Sequence, residues 1–450
     1  MKALLTLVAA LMTTILSPAS GLAVADDADC RIAMYLLSDG SRVDIAPSEN
    51  SSLRWRRMDG TTGALRKQLD ETWSSTFGWT GRPDGKSVRF GDCQTGKITF
   101  DGVPGRRMSF EVTETIFACR DVKLAGRLVL PKGTKPVPIV VLVHGAEGDS
   151  ARASYYLQRL LPAEGIGVFV YDKRGTGSSG GKYTQDYDVL ADDAVSALRE
   201  ARRLAGSRAG RIGFQGGSQG GWVAPLAETR IPVDFVIGSF GLAVNVIDED
   251  REEIELEMKL KGHAPEETAK ALEVAIAAEV VMISGFSEGS LESFEALRTK
   301  YKNEPWYKDL RGNLTRLLLP HSVAELRAMA DQFKFGTPWF YDSMPTLRKV
   351  NAPQLWILGE DDLDAPSQET GRRIKELIAE ERPITLAVFP NAEHGMTEYE
   401  VDQHGERVST RYAAGYFAMM RDFIRDGHLG PRYGASVIAG PKVHGACRIR

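Results

Sequence analysis

β-Strand and α-helix patterns alternate through the central part of the chain, and this alternation constrains the fold more than any other feature. The segment from Ile139 to Val143 is wholly apolar and mostly β-branched, as expected for a strand covered on both faces. From Tyr187 to Leu204 the apolar side chains recur at helical spacing and fall on one face. Strands that alternate with helices can pair in parallel while the helices cover the sheet. The pattern therefore predicts an α/β fold with a mostly parallel, doubly wound sheet.

The predicted elements come in two blocks separated by about a hundred charged, helical residues. Further strands are predicted at 124–130, 167–171, 212–215, 233–238, 354–358 and 384–389, and further helices at 155–161, 222–228, 367–378 and 410–425. We divide the chain into a signal peptide (1–25), an N-terminal β-rich domain (26–109), a first core segment (110–243), a helical cap insert (244–347), a second core segment (348–428) and a flexible tail (429–450).

The N-terminus has the three parts of a secretory signal peptide. Lys2 is followed by the apolar run from Ala3 to Leu16, and Ala23-Val24-Ala25 provides small residues for cleavage. The apolar run is too short to span a bilayer, so no stable membrane anchor is expected. We predict a periplasmic or secreted bacterial protein. Its formal net charge of −4 gives no electrostatic basis for binding nucleic acid.

The four cysteines can pair because export permits disulfides. Cys30, Cys93, Cys119 and Cys447 allow three complete pairings, and a bond within the N-terminal region is the first expectation. Free buried thiols are the alternative. The chain contains no Cys-x-x-Cys or His-Glu-x-x-His motif, so a metal site is not expected.

The N-terminal domain has short β-like runs separated by Asp-Gly turn signals, which predict a small sheet. Trp55, Trp73, Phe77 and Trp79 could line a carbohydrate-binding face. Large aromatic side chains more often fill the core of a small sheet, and we favour that interpretation.

A glycine-rich turn joins a predicted strand to a predicted helix at the centre of the first block. The turn has the form Gly-x-Ser-x-Gly, with Ser218 between Gly216 and Gly220. A serine on such a turn has a strained backbone and an exposed hydroxyl, and the glycines permit close chain approach. This context predicts that Ser218 is a nucleophile. The backbone N–H groups of Gln219 and Ala146, the latter on the loop after an early strand, are the expected oxyanion donors.

A serine nucleophile needs a histidine base and a carboxylate that orients it, and in this fold the order is serine, acid, histidine. His394 follows the last predicted strand and is the favoured base, with His404 as the rival. Asp362 has the favoured spacing for the acid in the loop after the preceding strand. Asp361 and Asp364 remain open alternatives.

These motifs together resemble those of exported bacterial α/β-hydrolases near the serine-aminopeptidase, dienelactone-hydrolase and acyl-CoA-thioesterase-like families. The resemblance rests on five segments that span the catalytic core but not the N-terminal domain. They are Val143-His144-Gly145, residues 171–180 (YDKRGTGSSG), Gly216 to Trp222, Gly359-Glu360-Asp361-Asp362 and His394-Gly395. The resemblance implies hydrolysis of esters, thioesters or peptides without a cofactor.

The cap insert is expected to shape the substrate site because it interrupts the chain at the carboxyl edge of the sheet. Its candidate substrate-binding residues are Trp306, Phe335, Trp339 and Phe340, although each could instead fill the core of the cap. An apolar cap favours a small-molecule carboxylic ester as substrate. A peptidase would need a cap carboxylate for the substrate amino group, and a non-catalytic binding module is a third hypothesis. Candidate carboxylates are Glu252, Glu253 and Glu255, but a solvated helix face is the simpler interpretation of these glutamates.

Overall fold

The computed structural model describes residues 29–48 and 52–441, so the predicted signal peptide and Cys447 lie outside the described residues. The strands are β1 Ala33–Leu37, β2 Arg42–Pro47, β3 Leu53–Arg56, β4 Thr62–Lys67, β5 Trp73–Thr76, β6 Pro83–Phe90, β7 Lys97–Phe100, β8 Val103–Arg107, β9 Glu111–Cys119, β10 Val122–Leu130, β11 Val137–Val143, β12 Gly167–Tyr171, β13 Ala209–Gly217, β14 Val236–Ser239, β15 Gln354–Gly359, β16 Ile384–Phe389, β17 Thr397–Val401, β18 Arg407–Tyr412 and β19 Val437–Ala439.

The α-helices lie between the strands of the large sheet, in the cap and near the C-terminus. They are α1 Ala151–Ser154, α2 Leu157–Ala163, α3 Tyr187–Ala205, α4 Gly220–Glu228, α5 Val246–Leu260, α6 Pro265–Ile283, α7 Glu288–Tyr301, α8 Thr315–Leu318, α9 Val323–Met329, α10 Met344–Lys349, α11 Ser367–Ala379 and α12 Tyr416–Asp426. None of the helices in residues 29–48 and 52–441 is long and apolar enough to cross a membrane.

Strands β1 to β8 form a closed antiparallel barrel, in which β1 pairs with both β2 and β8. Trp55 and Trp73 fill its interior, as the core interpretation predicts. Phe77 and Trp79 are 40% and 37% exposed, so that interpretation does not extend to them. A disulfide joins Cys30 to Cys93 within this domain, whereas Cys119 is a buried free thiol. The first expectation for the disulfide therefore agrees with the structure.

The large sheet has the order β19-β16-β15-β14-β13-β11-β12-β10-β9. Its six central strands are parallel, and β10, β9 and β19 add antiparallel edges. Helices α3 and α4 cover one face, and α2 and α12 cover the other. Because helices cover both faces, the central strands are almost fully buried, which explains their continuous apolar sequences. The predicted doubly wound α/β fold is confirmed.

The cap lies between β14 and β15, where the insert was predicted. Helices α5 to α9 pack around a separate apolar core of their own. Trp306 is fully buried in that core, beside Tyr301 and Tyr307. The prediction that Trp306 faces a substrate is therefore wrong, since neighbouring cap side chains surround its ring.

Three parts of the core differ from the sequence predictions. Strand β9 was not predicted, and residues 410–412 belong to β18 rather than to the last helix. Strand β18 forms a hairpin with β17, and the barrel packs on this hairpin through hydrogen bonds from Trp79 N–H to Ser409 O and from Tyr412 N–H to Gly60 O, each 2.9 Å long. Residues 429–441 are not a flexible tail, because β19 pairs with β16.

Candidate active site

The segments that carry the predicted site residues all leave the same edge of the sheet. Val143 at the end of β11 pairs with Gly216 in β13, and Gly217 pairs with Ser239 at the end of β14. Gly359 at the end of β15 likewise pairs with Phe389 at the end of β16. Because these strands are parallel, their carboxyl ends lie side by side and the loops that follow them meet. This edge is where ligands of open α/β sheets bind.

Ser218 occupies a sharp turn between β13 and α4. Its φ of +51° lies in the left-handed region, which is unusual for a non-glycine residue. The Ser218 N–H donates to Ser239 O at 3.1 Å, and the Ser218 carbonyl accepts from Gly221 N–H at 2.7 Å. A Cβ on Gly216 would lie 2.0 Å from the Gly220 carbonyl oxygen. The turn therefore requires glycine at position 216, as the sequence motif suggested.

His394 and Asp362 are brought together by the loops after β16 and β15. His394 Nδ1 lies 3.0 Å from Asp362 Oδ2, and Asp362 is only 1% exposed. The other carboxylate oxygen of Asp362 accepts backbone N–H groups from Asp364 at 3.0 Å and Ala365 at 2.8 Å. Both oxygens therefore have partners, which fixes the carboxylate beside the imidazole.

The rival residues have other environments. Asp361 accepts a hydrogen bond from the Tyr399 hydroxyl at 3.0 Å, and Asp364 has a side chain that is 49% exposed. His404 is exposed and contacts Gln403 through its ring. Among the acids and histidines that the sequence left open, only Asp362 and His394 are hydrogen-bonded to each other in the described residues.

The electrostatic surroundings of His394 favour its protonated form. Burial lowers the pKa of the imidazole, but Asp362, Asp364 and Glu249 raise it, and the net pKa is about 9. The ring of Phe240 packs edge-on against His394, with 5.0 Å between the ring centroids. His394 therefore has both carboxylates and an apolar ring as neighbours.

Glu249 is one residue near this site that the sequence reasoning missed. It lies in the first turn of α5, one turn before the glutamates proposed from the sequence, and accepts from Asn313 Nδ2 at 3.2 Å. Burial raises its pKa to about 8, opposed by the nearby His394. The acidic start of α5 was a signal, but only the packing of the cap shows which of its carboxylates interacts with His394.

The glutamates proposed from the sequence are divided between different environments. Glu253 is 4% exposed, and burial raises its pKa well above the ordinary range. Burial also raises the pKa of Glu252, to about 7. Glu255 alone of the three is exposed. The interpretation of these residues as a solvated helix face is therefore wrong for Glu253.

Arg407 of β18 links the two loops that carry Asp362 and His394. Its guanidinium donates to the Asp361 carbonyl oxygen at 2.7 Å and to Glu393 Oε1 at 3.0 Å. The guanidinium carbon also lies 4.2 Å from the ring centroid of Tyr399. The hairpin therefore holds both loops from outside the sheet, a role with no signal in the sequence.

The predicted oxyanion donors are backbone N–H groups at the start of α4 and in the loop after β11. Within the described residues, neither the Gln219 N–H nor the Ala146 N–H has an acceptor. Gln219 is 4% exposed, whereas Ala146 is exposed. Unused donors beside a serine turn are available to bind an oxyanion.

The predicted cap residues other than Trp306 lie nearer the surface. The ring of Phe335 packs edge-on against Tyr183, with 5.3 Å between the centroids, and Tyr183 contacts the loop of Ala146. Trp339 packs partly against the core of the cap, and Phe340 is 67% exposed. Phe335 is therefore a cap aromatic that is joined to the Ala146 loop through Tyr183.

Comparison with known proteins identifies the class to which this site belongs. Residues 134–267 match the family model described as serine aminopeptidase, S33. The protein is a serine hydrolase of the α/β-hydrolase fold. Among residues 29–48 and 52–441 of this hydrolase, no group of three or more histidine, cysteine, aspartate or glutamate residues could hold a metal ion.

Solved structures similar to this hydrolase include enzymes of several kinds. An esterase from Pyrococcus furiosus is 17% identical with a TM-score of 0.41, and the match covers 64% of this chain and 83% of that one. An acylaminoacyl peptidase from Pyrococcus horikoshii is 16% identical with a TM-score of 0.44, covering 88% and 58%. A proline iminopeptidase from Mycobacterium smegmatis is 17% identical with a TM-score of 0.41, covering 69% and 97%.

Proposed function

We propose that this serine hydrolase cleaves carboxylic esters through an acyl-enzyme intermediate formed on Ser218. The observation that carries the proposal is the 3.0 Å contact between His394 Nδ1 and Asp362 Oδ2 at the sheet edge that also presents Ser218. The left-handed backbone of Ser218 supports the same assignment, because a nucleophile on this turn is exposed above the sheet.

The proposed reaction uses groups of the chain alone. Ser218 attacks the ester carbonyl while His394 takes its proton, and Asp362 holds the imidazole in the required tautomer. The N–H groups of Ala146 and Gln219 bind the negative charge that develops on the carbonyl oxygen. His394 then protonates the departing alcohol, and water attacks the acyl-enzyme to release the acid. No cofactor is needed for these steps.

Apolar side chains near the site support an ester with an acyl or aryl group. Phe240 packs against His394, and Phe335 packs against Tyr183 beside the Ala146 loop. Burial of apolar substrate atoms against such surfaces contributes a binding free energy of about 25 cal/mol for each Å² of apolar surface removed from water. They offer no recognition of a polar leaving group.

Labelling with a fluorophosphonate probe, together with hydrolysis of p-nitrophenyl butyrate, tests the proposal. Ser218→Ala should lose both, and the loss of turnover should be on the order of a million-fold. Its circular dichroism should match the wild type, because the hydroxyl of Ser218 makes no hydrogen bond within the described chain. Near-wild-type hydrolysis by this variant would refute the assignment, and absence of labelling in the wild type would favour a non-catalytic module.

An exported aminopeptidase is the second candidate, and the position of Glu249 favours it. Glu249 is a half-buried carboxylate that interacts electrostatically with His394 and Asp362, and such a group could pair with a substrate ammonium. The match of residues 134–267 to a model described as serine aminopeptidase points the same way.

Comparison of p-nitrophenyl esters with aminoacyl p-nitroanilides separates the two candidates. For an aminopeptidase, Glu249→Gln should raise KM for the anilides at least tenfold, while Glu255→Gln on the exposed face of the same helix should not. For an esterase, the anilides should be poor substrates of the wild type as well. Efficient anilide cleavage that depends on Glu249 would replace the ester proposal.

Export to the periplasm or the exterior is also part of the proposal. It rests on the signal-peptide pattern of residues 1–25 and is supported by the Cys30–Cys93 disulfide, since such bonds persist mainly in oxidising compartments. Expression of the full chain in a bacterial host, followed by fractionation and N-terminal mass spectrometry, tests it. Cytoplasmic protein with an intact N-terminus would contradict it.

A further inference from the structure

The loop after β11 contains Gly145 and Ala146, which together have two backbone N–H groups and two carbonyl groups. Side chains hold three of these four groups by hydrogen bonds. The Gly145 N–H donates to the Tyr155 hydroxyl oxygen at 3.1 Å, and Lys173 Nζ donates to the Gly145 carbonyl oxygen at 2.8 Å. The Tyr183 hydroxyl donates to the Ala146 carbonyl oxygen. The remaining group, the Ala146 N–H, has no acceptor within residues 29–48 and 52–441.

Lys173 is the unusual member of this set because its ammonium is buried. The residue is 1% exposed, and its Nζ lies 4.6 Å from the ring centroid of Tyr183. Burial lowers the pKa of its side chain to about 8, opposed by Glu147 and Asp149. Burial of an ammonium costs free energy unless hydrogen-bond partners compensate for it. The one hydrogen bond of Lys173 Nζ goes to the Gly145 carbonyl oxygen, which suggests that Lys173 is kept for its effect on this loop. The steps proposed for hydrolysis give Lys173 no function.

The geometry of the peptide bond links Lys173 to the reaction. The Gly145 C=O and the Ala146 N–H belong to one planar trans peptide and therefore point in opposite directions. A donor fixed on the carbonyl oxygen thus directs the N–H away from Lys173. The Tyr183 hydroxyl fixes the next carbonyl, so the peptide planes on both sides of Ala146 are held.

The surroundings of this loop also restrict its movement. The Tyr155 hydroxyl that accepts the Gly145 N–H donates in turn to Glu147. His144 Nε2 lies 2.9 Å from the Tyr171 carbonyl oxygen and 3.2 Å from the Lys173 backbone nitrogen. The loop is therefore tied to the end of β12 and to the residues that follow it.

We propose that Lys173 and Tyr183 are positioning residues that set the oxyanion hole by holding the Gly145–Ala146 and Ala146–Glu147 peptides. The inference rests on the proposed function, because it assigns the Ala146 N–H to the oxyanion. It adds two side chains that act through the backbone of the loop. The chemistry they serve is charge stabilisation, which depends on donors aimed in advance at the place where the charge develops.

Lys173→Met and Tyr183→Phe test the proposal, since each removes one hydrogen bond to the loop while keeping most of the side-chain volume. Loss of a whole oxyanion donor costs about 10²–10³-fold in turnover. Poor orientation of one donor should therefore lower kcat about tenfold to a hundredfold, with KM for p-nitrophenyl butyrate within about twofold of the wild type. Matched controls are Lys182→Met, an exposed lysine, and Tyr433→Phe, whose hydroxyl donates to Asp422 of α12 and not to the Ala146 loop.

Inhibition by an alkyl trifluoromethyl ketone provides the second readout. Its adduct with Ser218 carries an oxyanion, so the inhibition constant should rise in proportion to KM/kcat across the variants. A purely structural role would lower the melting temperature without this proportionality. Should Lys173→Met fail to fold, Tyr183→Phe carries the test, because Tyr183 is only partly buried.

Two negative results have different meanings. If folded Tyr183→Phe and Lys173→Met keep the kcat and the ketone affinity of the wild type, this inference is overturned, but the proposed Ser218-His394-Asp362 triad is not. Failure of the wild type to hydrolyse esters or anilides or to form the ketone adduct would overturn the proposed function, and this inference with it.

Discussion

Replacement of Asp362 by asparagine is the substitution for which the structure defines the outcome most closely. The Oδ1 atom of Asp362 accepts the backbone N–H groups of Asp364 and Ala365, whereas Oδ2 faces His394 Nδ1. In Asp362→Asn the amide oxygen must take the Oδ1 position, because only an oxygen can accept those two N–H groups. The amide NH₂ is then directed at His394.

This orientation puts the imidazole in the wrong tautomer. A donor facing Nδ1 requires that nitrogen to be unprotonated, so the proton moves to Nε2 and His394 can no longer accept the proton of Ser218. A substitution of this kind in a serine triad lowers turnover by about 10⁴-fold, or about 5 kcal/mol in the activation free energy. The fold should persist, because the hydrogen bonds within the acid loop are kept.

The pH profile gives an independent check. In the wild type the neighbouring carboxylates raise the pKa of His394 to about 9, and the protonated imidazole cannot act as a base. We therefore expect kcat/KM to rise with pH up to about 9 and to be lost as the pH falls below that value. Removal of the Asp362 charge destabilises the imidazolium, so in Asp362→Asn the residual activity should reach its plateau at lower pH.

Steady-state hydrolysis of p-nitrophenyl butyrate between pH 6 and 10 measures both effects, with circular dichroism to verify folding. Asp361→Asn and Asp364→Asn are matched controls, because they remove carboxylates of the same loop that make no hydrogen bond to His394. Each should retain turnover within about tenfold of the wild type. A 10⁴-fold loss in either control, with a mild effect in Asp362→Asn, would refute the reasoning.

The other predictions concern the base, the cap and the disulfide. His394→Ala should lose turnover as severely as deletion of a triad residue does, while His404→Ala, at an exposed histidine, should keep it. The reverse pattern in ester hydrolysis would contradict the assignment of His394 as the base. Phe335→Ala and Trp339→Ala should alter the relative kcat/KM across p-nitrophenyl esters of increasing chain length while probe labelling persists, and an unchanged order would exclude a role of the cap in selection. Cys30→Ser opens a disulfide of sequence separation 63 and should lower the free energy of unfolding by about 4 kcal/mol, as measured by urea denaturation. An unchanged urea midpoint would contradict this.

Features that depend on local pattern could be predicted from the amino-acid sequence alone. The strands Gly167–Tyr171 and Ile384–Phe389 have the predicted bounds, because strands in the middle of a covered sheet are continuous, mostly apolar runs. The turn at Ser218 could also be predicted from the sequence, since Gly216 is required by a close contact with the Gly220 carbonyl oxygen four residues later. These signals need no knowledge of distant parts of the chain.

Features that depend on partners far away in the chain follow only from the way the chain packs. Asp361, Asp362 and Asp364 lie in one short loop. Spacing favoured Asp362, but the alternatives are separated from it only by the position of His394, more than thirty residues later. Residues 410–412 have an apparent helical pattern but form a strand, because β17 and the barrel supply backbone hydrogen-bond partners. Such pairings lie far apart in the chain and leave no local periodicity, since their energy arises only after the chain has folded.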